Sequence, residues 1–352
     1  MLHPSEPHST LDPRQASPNE FIAKASSVGI AESHARKILG AVVGKGVCDL
    51  KDWIETQAIP RKFGALLPQL ERLVLERTEK SQVDSFQKAV FRTKDGLAVE
   101  SVIIPLQKID KATLCLSSQV GCVMGCVFCA TAKLAKRRNL KTWEIVDQYI
   151  QCRKIAHDAG LQVSGVVFMG MGEPFLNYEN VISAAKLFSF PTANPISGRA
   201  ITISTVGLVD KIDLFTNENH PFRLSISLGA ATDEKRARLV PVAAKAKVSD
   251  VMAAARRYAT SRNDRVNLSY VCIRNENVFE EDAKALGELI GDTPVRLDLI
   301  EVRDSEGKFL PPTSEEMTTF RDALRHYVRQ PVARRYSGGA DINAACGTLA
   351  AV

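Results

Sequence analysis

No apolar stretch in the sequence approaches the roughly 18 to 20 residues that cross a bilayer, so no transmembrane helix is expected. The first twenty residues are polar and proline-bearing and lack the apolar segment of a secretory signal, which makes the cytoplasm the expected location. There is no internal repeat, and no long low-complexity tract beyond that N-terminal stretch. Nor does one sign of charge dominate: 46 Lys and Arg stand against 40 Asp and Glu, a net +6 that permits a polyanionic partner without requiring one. With 45% hydrophobic and 24% charged residues, the disordered, fibrous and disulfide-scaffold classes are excluded. The 352 residues suffice for one large core with one or two small appendages.

What the sequence does have is periodicity. Residues 1–18 offer little to bury and read as a disordered tail. Over 19–82, apolar residues such as Ala35, Ile38, Leu39 and Val42 recur at helical spacing, broken by Gly29 and Gly44-Lys45-Gly46, and a third helix is predicted from Gly64 through Leu70 and Leu73. This segment reads as a small helical accessory domain with a possible RNA-binding role. Residues 83–111 read as a β-hairpin turning at Asp95-Gly96. From 112 to 310, strand-like runs at 112–118, 165–169, 200–205, 222–228, 266–273 and 295–302 alternate with amphipathic runs at 143–158, 178–188, 208–216, 249–260 and 279–290. Six βα units imply a parallel sheet clothed in helices, too few for a closed eight-stranded barrel. The expected α/β architecture is therefore a partial (β/α)6, TIM-like barrel, with a doubly wound sheet as the alternative. Residues 311–352 add a helix at 314–327 and a Gly-rich basic tail.

Eight cysteines in a reducing compartment point to metal binding or chemistry rather than to structural bridges. Cys122, Cys126 and Cys129 are spaced four and three apart directly after the first strand of the alternating region, where such sheets gather ligands. Three thiolates on one loop leave one position of a metal centre open to a cofactor or substrate. A structural zinc would need a fourth ligand from Cys115 or the distant Cys346, because no histidine is near in sequence, and coincidental packing cysteines are a third reading. Cys48, Cys152 and Cys272 match no motif and read as packing residues.

The C-x3-C-x2-C run with an aromatic before its last cysteine resembles the signature of radical S-adenosylmethionine (SAM) enzymes, whose three cysteines hold a 4Fe-4S cluster that chelates SAM. Met169-Gly170-Met171-Gly172-Glu173-Pro174 resembles the glycine-rich turn that meets the cofactor's ammonium group. The segment Cys115 to Cys122, Ile203-Ser204-Thr205, Ser225-Ile226-Ser227-Leu228 and Asp341-Ile342-Asn343-Ala344-Ala345-Cys346-Gly347 are similar to the RlmN/Cfr family, over about Val99 to Leu349. That resemblance implies methylation of an adenine carbon, C2 or C8, in rRNA or tRNA. By it, Cys346 carries the methyl group, Cys115 resolves the RNA adduct through a transient disulfide, and Glu100 accepts a proton. Gly172, Glu173, Ser204, Ser227, Leu228, Gly229 and Arg303 would surround the cofactor. Blander readings stand beside these: buried thiols at Cys115 and Cys346, a solvated charge at Glu100, serines that satisfy local backbone at Ser204 and Ser227.

Two positions depart from the family pattern. Gly229 stands where the family has histidine, and Glu301-Val302-Arg303 replaces a Trp-Asn-Pro element, so Arg303 is expected to face the cofactor carboxylate in place of asparagine. Two basic runs, Lys133, Lys136, Arg137, Arg138 and Lys141 on one side and Arg329, Arg334 and Arg335 on the other, flank the expected site and could neutralise phosphates around a flipped-out base. The implied partners are RNA and a reductant such as flavodoxin, with the chain acting as a monomer away from membranes. Two other readings stay open: a radical methylase of a non-RNA substrate, and a zinc-stabilised RNA-binding protein without catalysis.

Overall fold

The computed structural model describes residues 11–47, 69–191, 195–304 and 306–350, so Cys48 and the start of the third predicted helix lie outside the described residues. Two short helices, α1 (Pro18–Ser27) and α2 (Glu32–Leu39), open the described chain. Ser17 caps α1 with Glu20 reaching back, the reciprocal box that satisfies the first free amides of a helix.

The strands are β1 (Val74–Lys80), β2 (Gln87–Arg92), β3 (Ala98–Pro105), β4 (Lys111–Cys115), β5 (Gln119–Val120), β6 (Arg138–Asn139), β7 (Gln162–Phe168), β8 (Ile201–Thr205), β9 (Arg223–Ser227), β10 (Val266–Cys272), β11 (Val295–Glu301) and β12 (Val332–Arg335). All but β5 and β6 form one ten-stranded sheet in the order β1-β2-β3-β4-β7-β8-β9-β10-β11-β12. The hairpin half is antiparallel through β4, and from β4 onward every pairing is parallel. The order has two ends, so the barrel is partial, as the six βα units require. Helices α3 (Thr142–Asp158), α4 (Tyr178–Phe188), α5 (Val209–Asn217), α6 (Asp233–Leu239), α7 (Val248–Arg262), α8 (Glu280–Ile290) and α9 (Ser314–Tyr327) follow the strands. The central strands are buried on both faces: all five residues of β8 are buried although three of them, Thr202, Ser204 and Thr205, are polar.

Three local readings need correction. Leu70 and Leu73 are not helical but extended, and Leu73 N–H donates to the carboxylate of Asp147 at 2.8 Å. They lead into β1, a strand exposed along nearly its whole length and therefore without an apolar alternation to betray it. Second, the basic tail contains β12, whose Val-Ala-Arg-Arg sequence has no strand pattern and which exists because β11 offers it an edge, with Leu297 opposite Val332. Third, residues 11–17 are not a free tail. Arg14 is fully buried, paired with Asp12 at 2.9 Å and Asp147 at 3.4 Å, donating to Glu71 O at 2.7 Å and lying over the Trp143 ring. The composition of the segment predicted disorder because it lacks apolar residues, whereas what docks it is a charge matched by a carboxylate on α3.

Asp147 supplies one of the two carboxylates on Arg14 and the acceptor for Leu73 N–H, and leaving such buried partners unanswered costs about 3 kcal/mol. Asp147→Ala is accordingly expected to lower the stability of the chain by about that amount in urea unfolding. An unchanged midpoint would mean that residues 11–17 are not part of the folded core.

Candidate iron-sulfur and cofactor site

The parallel strands end on one rim, and the cysteine loop rises from it. β5 and β6 pair to close the base of this loop, Gln119 opposite Asn139 and Val120 opposite Arg138. Gly121 begins it with φ +64°, where a side chain would meet Lys136 O at 2.5 Å, so the tight entry demands glycine. The glycine turn after β7 is equally constrained: a Cβ on Gly172 (φ +101°) would lie 2.5 Å from Gln119. The turn presses its backbone onto β5 and delivers Glu173 to the rim.

A cavity of about 240 Å³ occupies this rim, and Cys115, Cys122, Cys126, Cys129 and Cys346 all line it. Its far wall is the C-terminal tail, which is bonded to the cysteine loop: Ala130 N–H donates to Gly347 O at 2.8 Å and Thr131 Oγ1 to Leu349 O at 2.6 Å. The tail's other end is held by Asp84, whose Oδ2 accepts from Gly339 N and Tyr336 Oη at 2.8 Å each.

Burial dominates the electrostatics. It pushes the Cys122 thiol up to about 11 and raises Cys126 further, with the neighbouring thiols adding to both. Cys115 is pushed up to about 12 by burial and then by Cys346, while Cys346 is raised by burial and then by Cys129. Cys346 is exposed, the most accessible of the five cavity cysteines. The Arg335 cation opposes the rise at both Cys115 and Cys346. Glu173, fully buried, is lifted to about 7 by desolvation while accepting from Phe175 N at 3.0 Å and Val206 N at 2.9 Å. It lines the cavity and would receive an ammonium group there.

Gly172, Ser227 and Gly229 also line the cavity. Ser204 stands behind Ser227, with their hydroxyls 3.4 Å apart. Leu228 is a core residue, and its backbone is already used: its N–H donates to Ser269 O at 3.0 Å and its carbonyl accepts from Arg236. Arg303 does not face the cavity. It lies in an adjoining cleft with Glu301, Arg334 and Tyr336, 3.6 Å from the Glu301 carboxylate, because the chain leaves the sheet after β11 before reaching it. The arginine in the cavity wall is Arg335 instead, carried there by the unforeseen β12 and paired with Asp298 at 3.6 Å. Glu100 is buried rather than solvated, bound to Lys88 Nζ at 3.1 Å and accepting from Ala350 N at 2.9 Å, so its carboxylate ties down the tail outside the cavity lining. Of the first basic run, Arg138 pairs with Asp95 and Glu144, and Lys133 with Glu306. These two brace the loop, leaving Lys136, Arg137 and Lys141 without an ion pair among the described residues. Cys152 and Cys272 are buried in the main core.

Among the described residues no three His, Cys, Asp or Glu side chains converge closely enough to chelate a single ion. Three thiols sharing one cavity wall suit a larger multi-iron core, whose charge would draw off the protons that burial holds on them.

A model of the radical SAM superfamily matches residues 116–287. A probable RNA methyltransferase of Myxococcus xanthus is 41% identical over 338 residues, covering 94% of this chain and 92% of that protein. The dual-specificity RNA methyltransferase RlmN of Syntrophotalea carbinolica is 38% identical over 80% of this chain and 73% of its own length. The chain belongs to the RlmN family of radical SAM proteins. The crystal structure of a radical SAM methyltransferase from Sphaerobacter thermophilus, 32% identical, superposes with a TM-score of 0.88 over 96% of this chain and 99% of that one. As a radical SAM protein, this RlmN relative uses a 4Fe-4S cluster and SAM, and Cys122, Cys126 and Cys129 are the residues that would hold the cluster.

A raised pKa leaves little thiolate below it, so in the iron-free protein Cys122 should alkylate slowly at pH 8 and progressively faster towards pH 11. Anaerobic loading with iron and sulfide should protect Cys122, Cys126 and Cys129 while Cys346 remains open, as read by peptide mass spectrometry. Equal protection by zinc alone would overturn the cluster assignment.

Proposed function

We propose that this chain methylates an adenine carbon, C2 or C8, in rRNA or tRNA through an S-methylated Cys346. The observation that carries the reading is the placement of Cys346 in one cavity with the three cluster thiols and with Cys115. When bound, the cluster and SAM supply a carbon-centred radical able to take hydrogen from an S-methyl group. Cys346 holds that methyl. A neutral thioether suits a site where burial disfavours the thiolate. Once the base is joined to Cys346 in a closed-shell adduct, the Cys115 thiolate attacks the Cys346 sulfur, and the S–S bond forms as the S–CH2 bond breaks. The electron pair of that bond goes to the methylene carbon, which takes a proton to become the methyl group. An external thiol reductant reopens the disulfide; both cysteines are free thiols in this structure. Attack needs a thiolate, and the Arg335 cation facing both sulfurs favours one. Glu100, held by Lys88 and by Ala350 N–H outside the cavity lining, positions the tail that carries Cys346, and a proton from the base would reach it only through an intervening group.

RNA enters over the adjoining cleft. Arg335, Tyr336 and Ser337 belong to both the cavity and this cleft, so a nucleotide next to the target passes Arg303, Arg334 and the exposed ring of Tyr336. Arginines there take phosphates and the ring stacks on a base. The setting is the cytoplasm, with electrons from a flavodoxin-type donor; among the described residues no helix is long and apolar enough to cross a membrane.

With the resolving thiol removed in Cys115→Ala, RNA should remain covalently attached to the Cys346 peptide after nuclease digestion. A methyl on Cys346 without RNA would move the substrate elsewhere and favour a radical methylase of another molecule. Separately, Arg303→Ala and Arg334→Ala should each weaken binding of bulk tRNA several-fold and lower the slope of log affinity against log salt by about one. An unchanged slope would remove the cleft from the RNA path.

A further inference from the structure

Behind the cluster loop lies a buried cation with no carboxylate at ion-pair distance among the described residues. Arg236, on α6, is fully buried; its Nη1 donates to Leu228 O and its Nη2 to Val206 O at 2.6 Å, while its Nε has no partner. The contrast is Arg14, equally buried but paired with two aspartates. Burial lowers Arg236 from the ordinary arginine value, and the charges that resist this are first Cys126 and then Asp233.

The helix that carries Arg236 is fastened to the cluster loop. Val127 N–H, next to Cys126, donates to Leu239 O at 3.1 Å, and Val242 N–H, just beyond α6, donates to Met124 O at 3.4 Å. Leu239 and Val240 pack in one apolar cluster with Met124, Cys122 and Cys126. On its other side the guanidinium meets the cofactor wall through a single residue: Val206 accepts from Arg236 with its carbonyl, and its amide donates to Glu173 Oε2 at 2.9 Å. Arg236 thus joins the loop ends after β8 and β9 from behind, out of reach of the cavity itself.

A guanidinium so placed is costly unless an anion answers it. We propose that the anion is the thiolate-ligated 4Fe-4S cluster, and that Arg236 is a positioning residue that raises its reduction potential. A cluster bound by three thiolates bears net negative charge, and one further electron increases it, so a fixed cation in a dry environment stabilises the reduced form more than the oxidised one. The electron comes from the external reductant that radical SAM chemistry already requires, and Arg236 neither donates nor accepts a proton.

The alternative is a mechanical clamp on the two carbonyls, and charge separates the two. Arg236→Gln keeps hydrogen-bond donors without charge, and Arg236→Lys keeps charge without the fork. Each chain is reconstituted anaerobically with iron and sulfide, its iron and sulfide content measured, and its cluster titrated with dithionite while the reduced state is followed by electron paramagnetic resonance. The expected result is a lower midpoint potential in the Gln variant, the reduced-to-oxidised ratio at a fixed solution potential falling about ten-fold, with the Lys variant close to the parent. A fully loaded Gln variant with the parent's potential would overturn the proposal, as would equal falls in both variants. The third arm is urea unfolding without iron: removal of an unanswered cation should leave the iron-free Gln chain no less stable than the parent. A Gln chain unable to fold without iron would show that the clamp, not the charge, is the residue's role.

Discussion

Five cysteine sulfurs share one largely apolar cavity, and the cost of ionising them there is the constraint on which the rest of the site depends. Each thiol for which a direction is resolved is pushed up by burial first and by a neighbouring sulfur next. Such a site cannot hold several thiolates by itself. Cationic iron in the place of three of the protons would stabilise it, while burial holds the other two, Cys115 and Cys346, as thiols, a tendency that the Arg335 cation opposes. The tail walls the cavity, held through Gly347 and Leu349 on the cysteine loop, Ala350 on Glu100, and Gly339 on Asp84. The hairpin half of the sheet is therefore part of the site: β2 brings Lys88, β3 brings Glu100, and the turn between β1 and β2 brings Asp84.

The parts of this arrangement that could be read in the sequence are those fixed by neighbours along the chain. Helices at 178–188 and 314–327 announce themselves by apolar spacing, and the structure ends them at the same residues. The three cysteines and the Gly170-Met171-Gly172-Glu173 turn are local motifs whose spacing survives folding. What could not be read depends on partners far away in sequence. Lys88 is an unremarked lysine until Glu100 and Glu79 surround it. Arg14 sits in a stretch too polar to predict order and is held by Asp147. β12 has no strand pattern because an edge strand of four residues takes its conformation from β11. Once β12 is missed, Arg335 reads as one charge in a basic run rather than the cation facing two sulfurs.

The departure at Gly229 shows why a family motif cannot be transferred position by position without the packing around it. Gly229 has φ +78°, and a Cβ built on it would lie 2.9 Å from Val240 Cγ2. Val240 follows α6 directly and packs with Met124 and Leu239 against the cysteine loop, while α6 itself is bonded to that loop through Leu239. A histidine at 229 would therefore need both a left-handed backbone, which a side chain resists, and the space that Val240 fills. In this chain the apolar contact between α6 and the cluster loop fills the volume beside Gly229. That wall of the cavity is correspondingly made of Val240, Val206 and Met124. Arg303 likewise lies in the neighbouring cleft, with Arg335 in the cavity wall where the sequence pattern predicts Arg303. The cluster thiols and Glu173 stay on the rim while the residues around them are exchanged, and so the cofactor chemistry is legible from motifs whereas the shape presented to a substrate is this chain's own.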